Sequence, residues 1–148
     1  GLQIFQKMQS IYGSIDHFPD FYAGDYLDPV SGDFIMLTCN AQESELESLK
    51  LLLQTENIIF RPVKYSMKEL KSSCDWLMEQ FDRIEEKNEK GYPIRPLAVA
   101  NPDVMANRIR VEIYDSQENG IPLELQKVLE QIDEEMIEIV YTSVPREL

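Results

Sequence analysis

Apolar and polar positions along this chain recur with two different periods, and the switches between them delimit its elements. Leu2, Ile4, Phe5, Met8, Ile11 and Tyr12 fall at helical spacing, which predicts an amphipathic helix over 2–15. His17-Phe18-Pro19-Asp20 ends it. Two apolar runs then flank Asp28-Pro29-Val30-Ser31-Gly32-Asp33, whose Pro and Gly are turn residues. The expectation is a hairpin with strands over 23–28 and 33–39. The second strand, Phe34-Ile35-Met36-Leu37-Thr38-Cys39, is apolar almost throughout and should lie centrally in a sheet.

Ser44 and Glu47 have capping-box spacing ahead of Leu46, Leu49, Leu52 and Leu53, predicting a helix over 43–54. A strand follows over 58–65. Its Pro62 cannot donate to a ladder, which assigns the strand to a sheet edge or a bulge. Ser66 and Glu69 form a second capping box before Met67, Leu70, Cys74, Leu77, Met78, Phe81 and Ile84, one face of a long helix over 66–87 with Gly91 as its stop. The pattern then repeats. A strand covers 94–100, and Asn101-Pro102-Asp103 begins a turn. A strand over 108–114 turns Ile109, Val111 and Ile113 inward and Arg108, Arg110 and Glu112 outward. Pro122 opens a helix striped by Leu125, Val128, Leu129 and Ile132, and a last strand spans 136–142.

The predicted fold is α+β, with duplicated β-β-α-β units joined by a long central helix. Their sheets are antiparallel or mixed and carry helices on one face. By segment this reads as an N-terminal helix and connection over 1–22, a first lobe over 23–65, a connecting helix over 66–92 and a second lobe over 93–148. The repeat is one of pattern rather than identity. Asp33–Cys39 parallels Asn107–Ile113, and Ile58–Phe60 parallels Glu138–Val140.

Charge sharpens this picture. A net charge of −13 over 148 residues argues against a nucleic-acid partner, because such binding neutralises phosphates with cations. It would also repel an anionic membrane surface. A neutral or basic protein partner fits, as does simple solubility. No apolar run reaches the roughly 18 to 20 residues of a membrane span. The chain opens on Gly1 rather than Met, so an upstream segment is expected to have been removed: a signal peptide, a tag or the start of a longer gene.

Candidate chemistry is sparse. His17 is the single histidine, set in a connection beside Asp16 and Asp20, and reads as a loop residue rather than a catalytic base. Asp25, Asp28 and Asp33 bracket the first hairpin, but their spacing departs from a calcium loop and Asp is common in turns. Cys39 and Cys74 match no metal motif and read as buried free thiols, a disulfide remaining possible. No catalytic residue, metal site or cofactor is assigned. Trp76 falls on the side of the long helix away from Leu70, Leu77 and Phe81. It is a candidate partner anchor unless another element covers it.

Three segments resemble the pro-regions of bacterial chymotrypsin-like serine proteases of the α-lytic protease and streptogrisin type. Phe21-Tyr-Ala-Gly-Asp-Tyr-Leu-Asp28 followed by Phe34-Ile-Met-Leu37 is similar to the family's first hairpin. Val63-Lys-Tyr-Ser-Met-Lys-Glu-Leu70 is similar to its strand-into-helix junction. Ala98–Asp103 with Asn107–Ile113 is similar to its second hairpin, although Ala100 and Asn101 replace a glycine-rich start. The resemblance covers about residues 20 to 143. It implies a non-catalytic protein-binding module, chaperone- or inhibitor-like and extracytoplasmic, whose partner is a chymotrypsin-like serine protease or another protein. In such a domain the C-terminal strand pairs with the protease and the tail enters its cleft, which here would engage Ile137, Ile139 and Tyr141, then Ser143, Val144 and Leu148. The expectation is a stand-alone relative without the protease domain. The alternative is a structural or cell-surface-associated secreted protein with no protease partner.

Overall fold

A computed structural model describes residues 2–55, 57–88, 97–114 and 121–142. It is α+β. The order is α1 (Leu2–Tyr12), a 3-10 turn (Ile15–His17), β1 (Tyr22–Leu27), β2 (Phe34–Thr38), α2 (Glu43–Leu53), β3 (Ile58–Pro62) and α3 (Met67–Asn88). Then come β4 (Ala98–Asp103), β5 (Arg108–Tyr114), α4 (Leu123–Leu129), a second 3-10 turn (Glu134–Met136) and β6 (Ile137–Thr142). The duplicated β-β-α-β pattern is present, and both sheets are mixed: β1-β2-β3 and β4-β5-β6, each with an antiparallel hairpin followed by a parallel crossover pair. The expected stop at Gly91 and the start of the strand over 94–100 lie outside the described residues.

The chain divides into two compact units. One is Gly1–Glu69 with Val104–Asn107, and the other is Leu70–Asp103 with Arg108–Leu148. The long helix thus starts in the first unit and runs on in the second.

In the first unit β2 is central and buried on both faces, as its unbroken apolar run predicts. Met36 packs on one side with Ile4, Met8, Phe18, Leu49, Leu53 and Ile58. Ile35 and Leu37 pack on the other with Ala23 and Cys39. Pro62 ends the edge strand β3, where its missing N–H costs nothing, and Val63 N–H donates to Thr38 C=O at 2.8 Å. The Ser66–Glu69 box forms: Glu69 N–H donates to Ser66 Oγ at 3.1 Å and Ser66 N–H to the Glu69 carboxylate at 3.4 Å. The expected Ser44–Glu47 box does not. Helix α2 starts at Glu43 as expected, but its N-cap is Gln42, and the carboxylate of Glu45 accepts from Gln42 N–H at 3.0 Å.

Two details hold the hairpin tip Val104–Asn107 within this unit. Gly24, in the bulge of β1 at φ +116°, has no room for a side chain, since a Cβ there would lie 2.5 Å from Val104 Cγ1. Asn107 is buried at φ +53°, in the left-handed region that Asn tolerates. Its amide works like a strand edge: Oδ1 accepts from Tyr65 N–H at 2.9 Å and Nδ2 donates to Tyr65 C=O at 2.8 Å.

In the second unit Leu70, Cys74, Leu77, Phe81 and Ile84 form the buried stripe of α3. Ile109, Val111 and Ile113 of β5 are fully buried, while Arg110 is exposed and Arg108 and Glu112 are partly so, matching the predicted alternation. Helix α4 buries Leu125, Val128 and Leu129 over seven residues, with Pro122 at its N-cap rather than inside its first turn.

Candidate functional site

Three of the seven residues implicated by the sequence, Ile137, Ile139 and Tyr141, lie on β6, an edge of the second sheet. The direction of that strand's backbone groups follows from its neighbours. Tyr114 N–H donates to Leu97 C=O at 3.1 Å, so the even-numbered residues of β5 bond toward β4. The odd-numbered residues of β5 therefore bond toward β6. In the parallel register Val111↔Ile139, they reach the groups of Glu138, Val140 and Thr142. The N–H and C=O groups of Ile137, Ile139 and Tyr141 are left pointing away from the sheet. Arg108 Nη2 donates to Ile137 C=O at 2.8 Å, while its Nε donates to Glu135 C=O at 2.9 Å.

The side chains of Ile137, Ile139 and Tyr141 share the sheet face of buried Ile109, Val111 and Ile113, because paired residues lie on one side. Burial fades along them: Ile137 is 8% exposed, Ile139 40% and Tyr141 48%. Exposed apolar side chains and outward main-chain groups thus occur together on two alternate residues.

Other edges of the described sheets are blunted. β1 has a bulge between Tyr22 and Asp25. β3 carries exposed Arg61 and ends on Pro62. β4 contains Pro102, its Ala100 N–H contacts Met78 Sδ at 3.2 Å, and Leu97 N–H just ahead of it donates to the Glu85 carboxylate. β6 has no Pro, Lys or Arg, and its register with β5 runs unbroken from Ile137 to Thr142. Such devices discourage strand addition, and among the described residues β6 has only the Arg108 contact to Ile137 C=O at its start.

Trp76 lies on a different element, α3, where it is half-buried. Ser143, Val144 and Leu148 lie outside the described residues. His17 is exposed at the end of the first 3-10 turn. Asp28 is a turn residue: its carboxylate accepts from the N–H of Val30 at 2.9 Å, which holds its pKa below the usual value. Asp25 accepts from Tyr22 O–H at 2.5 Å; burial first, then that carboxylate, pushes the phenol's pKa up. Among the described residues no cluster of His, Cys, Asp and Glu could hold a metal. Cys39 and Cys74 are both free and buried. Burial, helped by Asp75, pushes the Cys74 thiol up to about 11. Burial and Glu69 raise Cys39.

Sequence reading did not foresee one concavity. A cavity of about 560 Å³ opens in the first unit where the starts of α2 and α3 meet the end of β2, lined among others by Asp20, Cys39, Glu45, Ser66, Lys68 and Glu69. Its charged groups and its thiol have partners already: Lys68 Nζ pairs with Asp20 at 2.6 Å, Cys39 Sγ lies 3.3 Å from Lys64 C=O, and Glu45 and Glu69 cap their helices. A raised thiol pKa keeps Cys39 in its weakly nucleophilic form near neutral pH.

No protein-family model matches this chain, and no curated protein matches it. Among the described residues no helix is long and apolar enough to cross a membrane.

Proposed function

We propose that this chain is a non-catalytic protein-binding module that takes up an extended segment of another protein along β6. The observation that carries this reading is the edge itself. β6 presents outward main-chain groups and exposed apolar side chains on the same two residues, Ile139 and Tyr141, while the other sheet edges are blunted. Strand addition draws affinity from main-chain hydrogen bonds and specificity from alternate side chains, and both are on offer here. The resemblance to protease pro-regions names a partner class: a chymotrypsin-like serine protease, met outside the cytoplasm, with the segment after β6 directed to its cleft.

The test is titration of chymotrypsin-like proteases with the chain while residual peptidase activity is followed. The expected result is saturable inhibition that weakens at least tenfold in the Ile139→Thr/Tyr141→Thr variant, a loss of about 1.4 kcal/mol or more. Both changes keep strand-forming residues while removing apolar area. Inhibition that survives the double variant unchanged would remove β6 from the reading. Absence of inhibition across such proteases would remove this partner class.

A further inference from the structure

We infer that the segment β6 accepts is a basic strand, with two apolar residues at alternate positions and a Lys or Arg next to them. This rests on the strand-addition reading above and adds to it the chemistry of the partner.

The argument comes from what faces the two sides of the open edge. On the face shared with Ile109 and Val111, an incoming strand meets Ile139 and Tyr141, so its residues opposite them must be apolar to bury that exposed area. On the opposite face it meets Glu138 and Val140. Glu138 is partly exposed, and among the described residues its carboxylate makes no hydrogen bond or ion pair. The nearest basic neighbour in register, Arg110, pairs instead with Glu112 at 3.3 Å. Exposed Glu134 lies just before the strand.

Geometry adds weight to Glu138. In an antiparallel addition, the residues hydrogen-bonded to the newcomer are Ile139 and Tyr141, because their groups point outward. Glu138 then occupies a non-hydrogen-bonded position, where facing side chains come closest. A cation opposite it gains, and a carboxylate there is repelled. Read from its N-terminus, an antiparallel newcomer would run apolar, any, apolar, basic, opposite Tyr141, Val140, Ile139 and Glu138. A net charge of −13 adds long-range attraction for a basic partner and opposes a second copy of the chain in the same place.

Selection of a random octapeptide display library on the full chain tests this, with wild type, Glu138→Lys and Ile139→Thr/Tyr141→Thr run side by side and circular dichroism confirming each fold. The expected outcome is enrichment of peptides with apolar residues two apart and an adjacent Lys or Arg. One of these, synthesised, should bind wild type at least fivefold more tightly than its Lys-to-Glu analogue. It should weaken severalfold as salt rises, and the order should reverse on Glu138→Lys. Enriched apolar-alternating peptides that depend on Ile139 and Tyr141 but are indifferent to charge would overturn the basic-strand inference and leave strand addition standing. Enrichment insensitive to the double threonine variant, or none at all, would overturn strand addition and the inference with it. Self-association of the chain lost in the double variant would replace the basic partner by a second copy.

Discussion

The two units share an element order and a pairing scheme, yet they finish their sheets differently. In the first, β2 is apolar on both faces and both are covered. In the second, β5 alternates, with one buried face and one polar face. The crossover helix shortens from 11 residues in α2 to 7 in α4. The last strands diverge most. Phe34 pairs with Ile58 as Ile109 pairs with Ile137, so Phe60 corresponds to Ile139 and Pro62 to Tyr141. Phe60 is half-buried against the core, whereas Ile139 and Tyr141 are exposed. The first copy closes its edge with a proline, and the second leaves the equivalent position open with an aromatic residue. A duplicated scaffold can thus devote one copy to stability and leave the other free for the contact proposed above.

The closed character of the first unit is easiest to break at Gly24. Replacing it with Ala forces a side chain into φ +116° and against Val104, and the two penalties together come to about 3 kcal/mol or more. Urea unfolding should show a correspondingly lower midpoint; a loss under about 1 kcal/mol would mean that Val104 moves aside freely. Asn107→Ala comes next. It removes both side-chain bonds to the backbone of buried Tyr65, at a cost of about 2–3 kcal/mol by the same measurement. Asn107→Asp should lose nearly as much, since a carboxylate cannot donate to Tyr65 C=O.

The thiols compare the two interiors. Cys39 and Cys74 should both resist a disulfide reagent at pH 8 in the folded protein and react fully once it is unfolded. Cys74 also links stability to pH. Its thiol ionises near 9.0 when unfolded and near about 11 when folded. Below 9 both states hold the proton and stability is complete. Above it the unfolded chain releases a proton the folded chain keeps, so stability falls as pH climbs from 9 through 11, by roughly 1–3 kcal/mol. Cys74→Ala should flatten that part of the curve. An unchanged slope would assign it to other groups.

How far the sequence already spoke depends on the range of the interaction. The alternation in Arg108–Tyr114, the central place of Phe34–Thr38, the edge position of Pro62 and the Ser66–Glu69 cap were all legible, because each is a local pattern with a local cause. The Gln42–Glu45 start of α2 was hidden behind a more conventional Ser-x-x-Glu two residues later. The Asn107 clamp on Tyr65 spans 42 positions and leaves no periodic trace. The repeat was visible but slipped: aligning Phe34 with Arg108 puts side chains on opposite faces, and pairing aligns Phe34 with Ile109. Of the candidate site, the strand could be named from resemblance. Which of its groups point outward needed the hydrogen bonds of β5 on both sides.

That orientation makes the smallest effect the sharpest test of the comparison between units. Tyr141→Pro copies into the second unit what Pro62 does in the first. If the backbone of residue 141 faces away from β5, its N–H serves no ladder bond, and the change should cost about 1 kcal/mol or less in urea unfolding. Val140→Pro, one residue earlier, removes an N–H that bonds to β5 and should cost about 3 kcal/mol or more. The two variants should also part company in binding. Tyr141→Pro keeps the fold but blunts the edge, so strand addition should fail in a protein that is still intact. If instead Tyr141→Pro proves the more damaging of the pair, the inferred orientation of β6 is reversed. Its open groups would then belong to Glu138 and Val140, and the partner strand would have to be read against the other face.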